Sequence, residues 1–365
     1  MNPTPHFRHI HHSKKFVDQC LADSQAWIKS SKFYDSDSLL SILLHAALEK
    51  SSVEDICQSS DRLPSPDTVM AQLAMTHCQS GRDLLEQQIS TLFQSQVRKI
   101  PMFRGRRPPE VILALDLHDE EYYGNHLIYD QKRFTTFSTT KGRNALRYAT
   151  LSIVSVNGKW DYPLTIGFAC NYVGQSRQEV VQRLLSQVNL PMKIDCLLMD
   201  GGFNDADLFA WLDQEQIRFL VRGRFSAKKT YPGSLWSTFD YQTGSKKYPV
   251  RAFLSPRKRK QGDIETILLL SNHKYRLKEA RILYKKRFRI ENTYRQAKHF
   301  KIRTSTTKIQ LRWIMWAFAH FLELIWQLVR IITKFLGLDS YAIRLKQFIR
   351  WLRDFWMRLT PHPIR

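Results

Sequence analysis

Two aspartates close short apolar runs, and one glutamate stands alone in a row of cations. Asp116 lies near the end of VILALDL (residues 111–117). In an alternating strand Val111, Leu113 and Leu115 fall on one side, and Ile112, Ala114 and Asp116 on the other. Asp200 ends KIDCLLMD (193–200), immediately before Gly201 and Gly202. A carboxylate beside an apolar strand is costly unless something pairs with it. Strand ends that meet at one sheet edge can aim such acids at a shared point, although a strand-terminal Asp also commonly begins a turn. The third acid is Glu291, in YKKRFRIENTYRQAKHF (284–300). Here Tyr284, Arg287, Glu291 and Lys298 follow one another at intervals of 3, 4 and 7 residues. On a helix at ~100° per residue these four and Arg295 share an arc of about 80°. Arg287–Glu291 and Glu291–Arg295 pairs on a solvated helix would account for the charges, at roughly a few tenths of a kcal/mol each. They do not account for the tyrosine at the head of the row.

The elements that must position these residues are legible in the patterning. Residues 16–100 read as a helical domain: LADSQAWIKS, DSLLSILLHAALEK and RDLLEQQISTLFQSQV space apolar residues by three and four. Between them, SVEDICQSSDRLPSPDTVMAQLA predicts two short helices about a turn. Ser52 and Asp55 would cap the first, and Ser65, Pro66 and Asp67 suit the start of the second. Such a pair could present Thr68–Gln72 to a major groove, or could be a plain bundle. KIPMFRGRRPPE (99–110) is a basic, proline-bearing hinge. After it come strands, including two that flank Asn157-Gly158, a strong hairpin signal. Helices and strands then alternate (QSRQEVVQRLLSQV, KIDCLLMD, DADLFAWLDQE, IRFLVRG). A Ser-, Lys- and Tyr-rich β insertion occupies 226–262, ETILLLSN forms a strand, and a long basic helix starts near Arg276. The fold class expected is α/β, a mixed sheet with helices on both faces.

Charge narrows the partner. The 365 residues carry a formal net charge of +23. Residues 281–365 hold 19 Lys and Arg against 4 acids, and residues 1–100 hold 10 against 11. A polyanion on the C-terminal half fits this distribution, with nucleic acid ahead of acidic lipid. The five cysteines are scattered and never form C-x-x-C, which argues for a reducing cytoplasm rather than a disulfide framework or zinc ribbon. No apolar signal-peptide run opens the chain. Residues 1–15, rich in His and Lys, read as a disordered tail, and 301–365 as basic, aromatic-rich helices. Trp313–Leu338 is apolar but interrupted by His320, Glu323, Gln327, Arg330 and Lys334, so a buried or interfacial helix is expected and not a membrane span.

The pattern Tyr284-x2-Arg287-x3-Glu291-x6-Lys298 resembles the Y-R-E-K signature of a group of prokaryotic insertion-sequence DDE transposases. LDLHDEEYYG and LLMDGGFNDADLFAWL resemble that group's two aspartate blocks, and the separations of 84 and 91 residues between the acids are similar. The likeness covers about residues 105–300. It implies an RNase H-like catalytic core in which Asp116, Asp200 and Glu291 hold two Mg²⁺ or Mn²⁺ ions. Few, hard oxygen ligands suit those ions. They would serve cleavage of transposon ends by water and strand transfer into target DNA by the freed 3′-OH. It further implies that Tyr284, Arg287 and Lys298, with Arg295 nearby, hold phosphates of double-stranded DNA. Some members of the group flip a base onto an aromatic in the insertion; Trp236 is the candidate for that role here, the alternative being a tryptophan that packs the core or the insertion. A homodimer on DNA is expected, since two ends must be paired. A catalytically silent DNA-binding derivative and an RNase H-type nuclease are the competing readings.

Overall fold

A computed structural model describes residues 5–25, 35–59, 63–77, 82–129, 131–138, 143–158, 162–223, 237–243, 245–258, 264–335 and 343–359. The chain divides into two compact units, one formed by residues 1–104 with 293–365 and the other by 105–292.

The second unit is built on one mixed sheet. Its strands are β1 (Glu110–Tyr122), β2 (Ile128–Tyr129), β3 (Lys132–Arg133), β4 (Thr135–Ser138), β5 (Arg143–Val156), β6 (Leu164–Asn171), β7 (Lys193–Met199), β8 (Phe219–Arg222), β9 (Ser237–Thr243), β10 (Lys246–Lys258) and β11 (Ile264–Ser271). The main sheet runs β4-β5-β1-β7-β8-β11-β10-β9, with β6 also on β5, while β2 and β3 pair separately. β6, β5 and β1 are antiparallel neighbours, and β1, β7 and β8 are parallel. The order β6-β5-β1-β7-β8, three antiparallel strands followed by two parallel ones, is the RNase H-like arrangement. The turn after β5 contains Asn157 and Gly158 at φ of 48° and 67°, the left-handed pair that an Asn-Gly hairpin requires. The β insertion extends the same sheet: β11 pairs with β8, and β9 and β10 complete an antiparallel meander. No charged residue occurs among Val111–Leu115 of β1, Leu164–Asn171 of β6 or Cys196–Met199 of β7, and all three runs are buried, as strands covered on both faces must be.

Among the described residues, four helices accompany the sheet, α6 to α9 in chain order. They are α6 (Arg177–Ser186), α7 (Ala206–Gln214), α8 (Leu277–Lys285) and α9 (Phe288–Ala297), whose last turns pass into the helical unit. α6 carries a capping box in which Ser176 and Glu179 exchange hydrogen bonds, and it packs on β5 and β6. α7 lies against β9 and β10, and α8 against β8 and β10. Two expectations are corrected here. β1 does not stop near residue 117 but continues to Tyr122, because its polar end stays paired with β5 as far as Asn144 and Arg147 grips Asp119 with two hydrogen bonds of 2.7 and 2.9 Å. The long basic helix is two helices, α8 and α9, broken at Lys286 and Arg287. At this break Lys286 donates to Ser155 Oγ (2.8 Å) and Arg289 to the Val154 carbonyl (2.8 Å), tying the junction to β5.

The first unit is helical: α1 (Pro5–Gln25), α2 (Ser36–Glu49), α3 (Val53–Gln58), α4 (Pro66–His77), α5 (Arg82–Val97), α10 (Ile309–Phe335) and α11 (Leu345–Leu359). Ser52 and Asp55 form the expected capping box of α3, and Ser65 Oγ accepts from Thr68 N at the start of α4. The segment read as a tail is helical from Pro5. Lys14 pairs with Asp354 at 2.7 Å, and Val17, Cys20 and Leu21 are buried at helical spacing, so contacts with distant sequence order a stretch whose composition alone suggests none. Helix α10 has the length and composition of a membrane span, but 89% of its apolar window is buried within the protein. Its polar residues have partners inside: Gln327 donates to Glu323 Oε1 (2.7 Å) and to Gln296 Oε1 (2.6 Å), and Arg330 donates to Gln327 (3.1 Å).

Candidate active site

The register of β1 on β7 decides the first juxtaposition. The two strands run parallel and their last paired residues are Leu115 and Met199, so Asp116 and Asp200 follow side by side at the same end of neighbouring strands. Adjacent strands lie about 4.8 Å apart, which brings two carboxylates within strong mutual influence. Asp116 is 7% exposed and sits opposite Thr150 of β5. Asp200 is half-buried and caps a single 3₁₀ turn, Gly201–Phe203, with its Oδ1 accepting from Gly202 N at 2.8 Å. A Cβ on residue 202 would stand 2.9 Å from that oxygen, which explains glycine at this position.

Glu291 reaches the same place from α9 through an arginine. Arg287, 6% exposed, donates from one terminal nitrogen to Asp116 Oδ1 (3.3 Å) and from the other to Glu291 Oε1 (2.6 Å). Its guanidinium lies over the rings of Tyr284 (5.8 Å) and Phe288 (4.9 Å). Tyr284 is buried on α8, whereas the Glu291 carboxyl is half exposed.

The electrostatics report the crowding. Asp116 is pushed up to about 7, first by burial and then by the like charges of Asp200 and Glu291, against the opposing pull of Arg287. Burial also raises Tyr284, to about 12, and Asp200 adds to that rise. Burial works against the charge of Arg287, but Tyr284, Asp116 and Glu291 outweigh it and hold the guanidinium protonated. Three acids and one internal cation thus form one coupled cluster.

The donor chemistry of this cluster, oxygen anions few in number and one of them buried, fits a hard divalent cation. Among the described residues, however, no group of three or more His, Cys, Asp or Glu side chains is gathered closely enough to hold an ion as it stands, and Arg287 occupies the gap between Asp116 and Glu291.

Of the residues singled out in the sequence, the sheet unit brings together Asp116, Asp200, Tyr284, Arg287 and Glu291. Arg295 and Lys298 are exposed and belong to the helical unit, and Trp236 lies outside the described residues. Sequence reasoning missed three supports. Arg177 donates to the Gly202 carbonyl (2.9 Å) and to Asn171 (2.7 Å), pinning the turn after Asp200. Asn204 donates to the Gly201 carbonyl (3.0 Å) and the Arg222 carbonyl (2.7 Å). Arg147 neutralises Asp119. The N-terminal end of α6 and the polar residues after Gly202 carry no spacing that links them to Asp200; only the folded sheet does.

A sequence model of the family described as Transposase DDE domain matches residues 124–322, more than half of the chain. The chain belongs to this family. The match includes Asp200 and Glu291 and begins beyond Asp116. Among solved structures, the fold is similar to the cryo-EM structure of a piggyBac transposase synaptic complex with hairpin DNA. The TM-score is 0.54 at 12% identity, with 91% of this chain and 73% of that chain covered. No curated protein matches the sequence. This DDE transposase carries an RNase H-like mixed sheet and a helical unit formed from residues 1–104 and 293–365.

Proposed function

We propose that this transposase cleaves the ends of its own mobile element and joins them to target DNA, with Asp116, Asp200 and Glu291 as the catalytic carboxylates. The observation that carries the reading is the cluster itself: two register-matched strand ends set Asp116 beside Asp200, and one buried arginine links Asp116 to Glu291 on a helix. The three acids would hold two Mg²⁺ or Mn²⁺ ions, which would supply Lewis-acid activation of the attacking and leaving oxygens. Asp116 and Asp200 are the fixed part of this set, one in a strand and one at a 3₁₀ cap. Glu291, half exposed on α9, is the adjustable part, able to exchange Arg287 for a new partner. Arg287 then retains Asp116 and keeps it from carrying an uncompensated buried charge. The substrate is double-stranded DNA, as the net charge of +23 favours.

The Y-R-E-K spacing supports placing the chain in the insertion-sequence group with that signature, acting in a prokaryotic cytoplasm, and pairing of two ends would call for a homodimer. Exposed Arg295 and Lys298 would contact phosphate, and Trp236 would stack an unpaired base.

The test is cleavage of end-containing DNA in Mg²⁺ by the full chain. Asp116→Asn, Asp200→Asn and Glu291→Gln should each lower the rate by at least about 10³-fold while DNA binding persists. Unchanged cleavage in any of the three would remove that residue from the reading. Omission of divalent ions should abolish cleavage, and a pre-cut 3′-OH end should join to a second duplex, which a simple nuclease would not do.

A further inference from the structure

The signature residues of the sheet unit leave a question of grip. Tyr284 and Arg287 are buried, and both terminal nitrogens of Arg287 are committed to carboxylates. Neither is presented to a backbone passing over the surface. Helix α8, which leads directly into this cluster, presents other cations. Lys278, Arg281 and Lys285 are all exposed and follow one another at intervals of three and four residues, so they share one helix face. Ala280 and Tyr284 are buried on the side by which α8 packs on the sheet, and Lys286, just beyond it, is tied to Ser155.

This face differs from an ordinary solvated one. Arg281 and Lys285 are like charges at i,i+4, an arrangement that disfavours the helix. The only acid within α8, Glu279, accepts from the Arg276 backbone N–H as part of the N-terminal cap (3.3 Å) and has Ile282 and Leu283, not a cation, at the following helical neighbours. Beside the row lies an open groove of about 590 Å³ lined by Arg276, Lys278, Glu279, Ile282, Leu283 and Lys286. From Lys278 to Lys285 the helix rises about 10 Å, a distance over which duplex DNA offers several phosphates.

We propose that Lys278, Arg281 and Lys285 on α8 form a phosphate track that guides the backbone of duplex DNA toward the carboxylate cluster. The inference rests on the reading of DNA as substrate but assigns it a surface outside the signature. A backbone on this track neutralises the repulsion between Arg281 and Lys285, and the release of counterions drives the contact. The track reads no bases, so its contribution is independent of sequence.

The experiment compares full-length protein with the triple variant Lys278→Gln, Arg281→Gln, Lys285→Gln, and with a charge-matched triple variant on α11 and the residue before it, Arg344→Gln, Lys346→Gln, Arg350→Gln. Fluorescence anisotropy with a mixed-sequence duplex is read across a salt series. The α8 triple should weaken binding at least about tenfold near 0.1 M salt and flatten the log–log salt slope by roughly 2 to 3. A retained melting transition would show that the fold is intact, and single Gln variants would divide the slope change if the triple does not fold. An unchanged slope, or an equal loss from the α11 triple, would overturn the track. So would loss of binding to phosphatidylserine vesicles with DNA binding untouched, which would assign the face to a lipid surface. Failure of Asp116→Asn to affect cleavage would count against the catalytic reading and leave the track standing; absence of any DNA binding by the parent chain would overturn both.

Discussion

At the scale of single residues, the decisive group is Asp116. Its carboxyl is raised to about 7 because burial and two neighbouring acids disfavour its charge more than Arg287 favours it. The sign of the consequence is fixed by linkage. Below about pH 4 both folded and unfolded chains hold this proton, and nothing is lost. As pH rises to about 7 the unfolded chain ionises first, so stability falls across that window and then levels off. In chelator, Asp116→Asn should remove this slope, so that the variant gains stability relative to the parent as pH rises from about 4 to about 7. Thermal melts across that range check it, and a parent protein whose stability rises from pH 4 to 7 at this position would contradict the assignment. Adding Mg²⁺ should stabilise the parent and leave the variant less affected, since a ligand that binds only the folded state stabilises it by mass action. The acids themselves were visible in the sequence through their place at the ends of apolar runs. Arg287 was visible as part of the spacing, but not its role: it was read as a phosphate contact, and the structure shows it engaged by two carboxylates.

At the scale of elements, the strands were largely legible, because alternation and apolar runs report burial directly. The helix carrying Glu291 was legible in type but not in continuity. A periodic run of Lys and Arg reads as one helix, and only hydrogen bonds to β5 show where it breaks. Helix α10 illustrates the same limit differently. Its composition suits a membrane, yet its interior polar residues pair along the helix and, through Gln327, with Gln296 of α9. Glu323 there is fully buried and raised to about 8 by burial, against the lowering effects of Gln327 and Arg330. Its proton is held more tightly in the fold than in the unfolded chain, so stability is intact below about pH 4.5 and is lost as pH climbs toward 8. Glu323→Gln keeps an acceptor for Gln327 and carries no charge to desolvate. It should leave the melting temperature nearly unchanged near pH 5 and raise it near pH 9, by roughly 1–3 kcal/mol of stability. Equal melting temperatures of parent and variant at the higher pH would show that Glu323 is not protonated in the fold.

At the scale of the whole molecule, chain order and folding units do not coincide. The helical unit takes residues 1–104 from one end and 293–365 from the other. Helices α10 and α11 supply partners for α1, α2, α4 and α5, and the ion pairs Lys14–Asp354 and Asp18–Arg358 cross 340 positions of sequence. Residues 1–104 produced alone should therefore show helical circular dichroism without a cooperative melt, and adding residues 293–365 should restore one. A sharp two-state transition of the N-terminal piece by itself would refute the shared core. By itself the sequence determined which residues could carry the chemistry, that the sheet would be mixed with helices about it, and that the charge favours a polyanion, because these follow from local period, residue type and charge. Only tertiary structure decided that Asp116 meets Asp200 in register, that an arginine and not empty space lies between Asp116 and Glu291, and that the two ends of the chain build one unit. Those outcomes depend on pairing between segments far apart in the chain, and that pairing is selected by the free energy of the packed whole, not by any short stretch of residues.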